Sequence, residues 1–202
     1  MSRGRKALVA SLVGGGLAGV IAKLADESPV ANLLGLNDLG TYLGLWVVLT
    51  TALAVRSPSR RHAALRAVTF LLAMVTSYYG VTRLLFGFFP ITLWLAWAGV
   101  ALTAAPVFAI VVWPARQTGW PAALGAALPI GLLLWEAYSL RLRLPLHLVQ
   151  FAADLVAAAA LVVLLPTDGR QRVRVLLLAP LVVVAADVGF TRILPYALGL
   201  LR

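Results

Sequence analysis

The chain has 202 residues, of which 62% are hydrophobic and only 12% are charged. This composition leaves too little polar surface to cover a soluble globule of that size, so the sequence predicts an integral membrane protein. Long unbroken apolar runs favour membrane-spanning helices over the alternating strands of a barrel, and we expect one all-α helical bundle formed by residues 1–202.

Seven apolar segments follow one another along the chain and predict about seven transmembrane helices. The predicted spans are 7–24, 38–55, 67–85, 91–113, 122–140, 147–165 and 175–194. Six spans also fit the pattern if one short segment is re-entrant. The basic start and a small-residue cut after Ala22 are also typical of a secretory signal, but we interpret this segment as an uncleaved first span.

The formal net charge of +10 is concentrated in short segments between the apolar runs. With the amino terminus inside, seven spans place eleven of the 17 basic residues in the cytoplasm. These eleven are Arg3, Arg5, Lys6, Arg56, Arg60, Arg61, Arg66, Arg116, Arg170, Arg172 and Arg174. This bias follows the positive-inside rule and predicts no nucleic-acid partner. Rich alanine and arginine usage indicates a high-GC bacterium, so we expect a multi-pass protein of the bacterial plasma membrane.

The first span contains Gly-Gly-Gly-Leu-Ala-Gly at 14–19, which matches the dinucleotide-binding fingerprint. No predicted strand precedes it, and its glycines lie within the apolar run. We therefore interpret Gly15 and Gly19 as a small-residue packing face, available to a membrane partner or a second copy of the chain. We expect no cofactor.

The phrase Gly-x-Thr-Arg-x-Leu occurs at 80–85 and again at 189–194. A shift of 109 residues superposes these phrases, and it also superposes the first three predicted spans on the last three. This predicts parallel three-helix repeats joined by the fourth span, unless the match is a coincidence in an apolar chain. The layout is weakly similar to the three-plus-one-plus-three transporters that include the SWEETs. The proline-glutamine signature of that family is absent, so its sugar-binding residues are not assigned here.

Three acidic residues, Glu136, Asp154 and Asp187, fall inside predicted spans. A charged group at the centre of a membrane helix costs about 2.5 to 3.5 kcal/mol on insertion scales, so it needs a partner or a wet cavity. At about 1.5 Å per residue, all three lie roughly 18 to 21 Å from the cytoplasmic side. We expect them to share a layer in the outer half of the membrane.

Tyr78 and Tyr79 lie at about the same depth, and Arg83 and Arg192 lie one turn farther out. Together with the three acids they are the candidate substrate-binding residues of a polar, outward-opening cavity for a small solute. The alternative is that the arginines extend to the headgroups and the acids only form ion pairs that hold the bundle together.

Other chemistry is not indicated. His62 and His147 are far apart in the predicted topology, so we expect no metal site. Residues 185–190 are similar to the final helix of microbial rhodopsins, but that span has no lysine to bind retinal. The chain has no cysteine, which excludes thiolate catalysis, and it shows no enzymatic constellation.

Five short motifs occur together: Ala-Asp at 25–26, Ser-Pro at 28–29, Arg-Ser-Pro at 56–58, Tyr-Tyr-Gly at 78–80 and Leu-Leu-Trp-Glu-Ala at 133–137. In these the chain resembles a family of small actinobacterial integral membrane proteins known only as a domain of unknown function. The resemblance covers most of the chain and implies membrane location without an activity.

Two classes of function stay open at this point. The first is solute handling, by a small transporter or by a subunit resembling the vitamin-binding components of energy-coupling-factor transporters. The second is a structural or regulatory membrane subunit without its own ligand.

Overall fold

The computed structural model describes residues 3–33, 35–37, 40 and 42–193, and within these ranges the chain forms helices and turns. Eight α-helices are present in the described part: α1 (Arg3–Glu27), α2 (Pro29–Leu33), α3 (Leu43–Val55), α4 (Arg60–Phe86), α5 (Ile91–Val112), α6 (Trp120–Leu140), α7 (Leu144–Leu164) and α8 (Gly169–Val188). Short 3₁₀ segments, Trp113–Arg116 and Arg141–Arg143, follow α5 and α6, and a turn of π-helix, Gly189–Ile193, follows α8. The all-helical fold class is confirmed.

Among the described residues, six helical segments are long and apolar enough to cross a membrane. They are Gly4–Glu27, Arg60–Phe86, Ile91–Arg116, Trp120–Arg143, Leu146–Leu164 and Gly169–Thr191. The second predicted span is different, because the apolar helix there begins only at Leu43 and has 13 residues. At 1.5 Å per residue it extends about 20 Å, which is shorter than the hydrocarbon core.

The connections rich in arginine gather at one end of the molecule, which we call the basic end (residues 56–66, 113–120 and 168–174). The Trp113 indole donates to the Ser57 carbonyl at 2.9 Å, and the Gln171 amide donates to the Gly119 carbonyl at 3.0 Å. Gly4 lies beside His62. Helices α1, α4, α6 and α8 therefore start at this end and run parallel, whereas α3 and α5 finish there.

Helix α1 packs against α4 along most of its length. A Cβ added at Gly15 would lie 2.1 Å from the Phe70 carbonyl oxygen, and one added at Gly19 would lie 2.1 Å from that of Met74. Ser77 donates from its hydroxyl to the Gly16 carbonyl at 2.8 Å. The small-residue packing face is thus real, but α4 of the same chain occupies it. The sequence-based assignment of this face to a partner or a second copy is corrected accordingly.

Helix α6 is the central element of the bundle. In the 18-residue apolar stretch of its candidate span 61% of the residues are buried, against 22–28% in the corresponding stretches of the other five described spans. Its Ile130 and Leu133 are almost fully buried, and Gly131 lets α8 approach closely beside Val182. The pairs α1–α4 and α6–α8 are both parallel and closely packed, and the shift of 109 residues relates one pair to the other. The repeat itself stays a prediction.

Candidate functional site

The site begins at the amino terminus of α3, which lies inside the bundle beside the carboxyl-terminal half of α6. The Glu136 carboxylate accepts a hydrogen bond from the Leu43 amide at 2.6 Å and one from the Gly44 amide at 2.5 Å. These amides have no intrahelical acceptor, because the first four amides of a helix would need carbonyl groups from residues that precede the helix. Glu136 therefore caps a helix that belongs to a different segment of the chain, and its negative charge lies at the positive end of the helix dipole.

A second carboxyl group lies next to the first. The amide nitrogen of Gln150 donates to Asp154 Oδ1 at 2.8 Å and to Glu136 Oε2 at 3.2 Å, so one side chain bridges both acids. The exposed fractions are 5% for Glu136, 1% for Asp154 and 0% for Gln150. We call these three residues the carboxyl cluster. It joins α6 to α7 and sits against the first turn of α3.

Gly44 makes this close approach possible. A Cβ at position 44 would lie 2.0 Å from Asp154 Oδ1, 2.8 Å from the Gln150 amide nitrogen and 3.0 Å from Glu136 Oε2. Any larger residue would have to displace a carboxyl group or the start of α3.

Two atoms of the carboxyl cluster are buried without a hydrogen-bond partner in the described part of the chain, namely Asp154 Oδ2 and Gln150 Oε1. Buried polar atoms are usually paired, so each such atom requires an explanation. Lys23 forms an ion pair with Glu27 at 2.5 Å, whereas neither Glu136 nor Asp154 pairs with a lysine or an arginine among the described side chains. Within the described part of the chain, the cluster therefore concentrates acidic groups without a basic partner.

A cavity of about 450 Å³ lies beside the cluster, between α3, α4, α5 and α6, and we call it the aromatic cavity. Its aromatic lining residues are Tyr42, Trp46, Trp97, Phe108, Trp135 and Phe190. Trp135 stacks on Phe190 with ring centroids 4.5 Å apart. Glu136 is the carboxylate of the lining, which is otherwise almost wholly apolar. Trp97, Val100 and Ala104 are exposed on α5, so the cavity opens at the surface of the bundle.

A smaller cavity of about 230 Å³ adjoins the first and shares Leu43, Trp46 and Trp97 with it. Tyr78 and Tyr79, both predicted site residues, line this smaller cavity. The Tyr78 hydroxyl donates to the Asp26 carboxylate, and the Lys23 ammonium lies 5.2 Å from the centre of its ring.

The remaining predicted site residues lie elsewhere. Asp187 is half-buried on α8 and lines neither cavity, and Arg83 is exposed near the end of α4 and also lines neither. The side chain of Arg192 lies outside the described part of the structure. The structure therefore brings Glu136 and Asp154 together and places the two tyrosines in the neighbouring cavity. It does not place all seven candidates in one polar cavity.

The sequence-based prediction missed Gln150, Gly44 and the contact between Tyr42 and His147. A signal for Gln150 existed, because Gln150 and Asp154 are four residues apart and so lie on one face of a helix. His147 has non-helical backbone angles near the start of α7, and its Nε2 lies 3.4 Å from the Tyr42 hydroxyl. His147 thus lies at a local break in α7, which residue spacing does not reveal.

The described residues contain six long apolar helices together with a buried carboxyl cluster and an aromatic cavity, which indicates a membrane-embedded protein of the α-helical class. Residues 2–197 match a family of unknown function, DUF6518, and the chain belongs to that family. The predicted membership of a family of unknown function is thereby confirmed, whereas the actinobacterial origin and the transporter-like layout stay predictions. Neither the curated proteins nor the solved structures contain a significant match to the chain.

Proposed function

We propose that this protein binds a small solute within the membrane, in the aromatic cavity, and transports it or presents it for transport. The observation that carries the proposal is the cavity itself, because about 450 Å³ is in the size range of small-molecule sites. Such sites are mostly apolar with a few polar groups, and here Glu136 supplies the carboxylate.

The lining changes the kind of solute expected from the sequence. A polar cavity would suit a strongly hydrated molecule, whereas the aromatic cavity is bounded by three indoles and several aliphatic side chains. A solute with a largely apolar body fits this lining, since burying apolar area supplies most of the binding free energy.

A structural role is the second candidate, and the cap on α3 favours it. Both carboxylate oxygens of Glu136 accept hydrogen bonds from α3, so the residue stabilises the fold whether or not a ligand binds. On this reading the cavity holds a lipid acyl chain, and the protein acts through contacts with other membrane proteins.

The third candidate, a vitamin-binding subunit of an energy-coupling transporter, loses its main support. That interpretation assigned the glycine face of α1 to docking of a partner, and α4 covers this face. The cavity still fits a substrate-binding subunit, but the docking surface would have to lie elsewhere.

The test is a thermal-shift screen of the purified protein against small aromatic and aliphatic metabolites that are cationic, neutral or anionic. Ala104 lines the cavity and is exposed, so Ala104→Trp should fill the cavity without disturbing the core. Ala96→Trp, on the same helix and outside the lining, is the matched control. We expect a stabilising compound to act on wild type and on Ala96→Trp but not on Ala104→Trp. Equal stabilisation of all three proteins would contradict binding in this cavity.

A further inference from the structure

We propose that the solute of the aromatic cavity is an organic cation, and that its positive head displaces a proton held by the carboxyl cluster. This inference rests on the proposed function, because it names the chemical class of the solute. It adds an exchange of one cation for one proton.

The first step concerns charge. Glu136 and Asp154 are both buried, and the Gln150 amide contacts both of them. The amino terminus of α3 is equivalent to roughly half a positive charge, so it stabilises one carboxylate and not two. The second carboxylate has no lysine or arginine beside it in the described structure, and an isolated buried charge is strongly disfavoured. A proton or a bound cation must therefore neutralise it.

The second step concerns Asp154. Its Oδ1 accepts from Gln150, whereas its Oδ2 is buried without a partner among the residues described. A proton on Asp154 makes this carboxyl group neutral, which removes the cost of burying a second charge beside Glu136. We infer that this proton leaves when a cation arrives. The empty site then holds one proton, and the occupied site holds one organic cation in its place. The total charge of the site is the same in both states.

The third step concerns the cavity wall. Glu136 takes part in both the carboxyl cluster and the cavity lining, and so joins the two. Among the described residues the lining contains no lysine or arginine, which disfavours an anionic solute. Trp46, Trp97 and Trp135 line the cavity, and indole rings attract onium or ammonium groups. An apolar body with one cationic head matches both features of the site.

Few other titratable groups lie on the described helices that pack against the cluster. Helices α3 and α5 contain no acidic or basic residue. Besides Asp154, α7 carries His147, which contacts Tyr42, and α8 carries Asp187 near the same level. The arginines of α8 lie at the basic end, near its first turn. Glu136 and Asp154 are therefore the pair that we assign to the exchange, with His147 and Asp187 as the neighbours to control for.

The probe is benzyltrimethylammonium, and its neutral counterpart is neopentylbenzene, in which carbon replaces the charged nitrogen. Binding to the purified full-length protein is measured by calorimetry, and proton release by a pH indicator in weak buffer. We expect each bound cation to release up to one proton. The affinity for the cation should therefore increase up to tenfold for each unit by which the pH is raised. Neopentylbenzene should bind more weakly and release none.

Three variants locate the exchange. Glu136→Gln should weaken binding of the cation at least tenfold and leave neopentylbenzene unchanged. Asp154→Asn should abolish proton release and the pH dependence of affinity. Asp187→Asn should resemble wild type, because this carboxyl group is outside the cavity lining. If Glu136→Gln does not fold, Asp154→Asn and the pH dependence of the wild type still decide the question.

The outcomes separate this inference from the proposed function. Equal binding of both probes without proton release would overturn the exchange but keep a solute site in the cavity. Binding of neither probe, together with an acyl lipid that copurifies with wild type and is lost in Ala104→Trp, would overturn both.

Discussion

At the scale of single residues, Gly44 controls how closely α3 approaches the two acids. We predict that Gly44→Ala destabilises the protein by about 1 to 3 kcal/mol, the usual cost of overpacking, because the added carbon would lie 2.0 Å from Asp154 Oδ1. Thermal unfolding in detergent measures the effect.

Gly80→Ala is the matched control for this substitution. Gly80 lies inside α4, and no atom lies within 4 Å of the position its Cβ would take. The stability of Gly80→Ala should equal or slightly exceed that of wild type, since alanine is a better helix former than glycine. If both variants unfold at the wild-type temperature, the contact between Gly44 and the carboxyl cluster does not constrain the fold.

At the scale of elements, the start of α3 depends on an acceptor from α6. We predict that Glu136→Ala costs about 1 to 3 kcal/mol for each buried donor left without an acceptor, here the amides of Leu43 and Gly44. Glu136→Gln retains one of the two acceptor oxygens and should lose about half as much. The free energy of unfolding in mixed detergent measures both. Equal losses would mean that the charge of Glu136, rather than its acceptor atoms, stabilises α3.

The contact between α1 and α4 is a second element that can be tested by itself. We predict that Gly15→Ala destabilises the protein by about 1 to 3 kcal/mol, because its Cβ would lie 2.1 Å from the Phe70 carbonyl oxygen. Gly16→Ala is the matched control, since it lies on the same helix and its Cβ would have no neighbour within 4 Å, and it should not destabilise the protein. Unfolding is measured over a range of protein concentrations. A loss that depends on concentration would point to a second copy at this face and would contradict the packing described here.

These elements also show what the sequence could and could not predict. The six long apolar helices follow from composition and length, because lipid forces each buried backbone group to pair within its own helix. The start of α3 could not be predicted in this way. An apolar count extends the second span back to residue 38, whereas the helix begins at Leu43, where Glu136, 93 residues away in sequence, supplies the acceptor.

The candidate site was predicted only in part for a related reason. Depth counting placed Glu136 and Asp154 in one layer, and Gln150 contacts both acids in the structure. Counting along a helix gives height but not direction around its axis. It therefore placed Asp187 and Arg83 in the same cavity, although neither lines it. The apolar wall was missed because it comes from four separate helices and a turn.

At the scale of the whole molecule, the direction of each helix follows from contacts at the basic end. Helices α1 and α4 both start there, so the chain between Glu27 and Val55 must return to it. The short helix α3 forms the last part of that return. In the described part of the chain, α3 therefore runs antiparallel to α1, α4, α6 and α8 beside the six long helices. Its amino terminus lies at the carboxyl cluster, where Glu136 supplies the acceptor.

The orientation of the bundle in the membrane is the last prediction. Cytoplasmic loops are enriched in lysine and arginine, so we expect the basic end and the amino terminus on the cytoplasmic side. The chain has no cysteine, so each single substitution introduces the only thiol. Gln117→Cys lies at the basic end and Leu142→Cys, where the leucine is 83% exposed, lies beyond the other end of α6. In intact bacterial cells a membrane-impermeant maleimide should label Leu142→Cys and spare Gln117→Cys, and inverted vesicles should give the opposite pattern. Labelling of Gln117→Cys alone in intact cells would reverse the orientation and would place the carboxyl cluster nearer the cytoplasm.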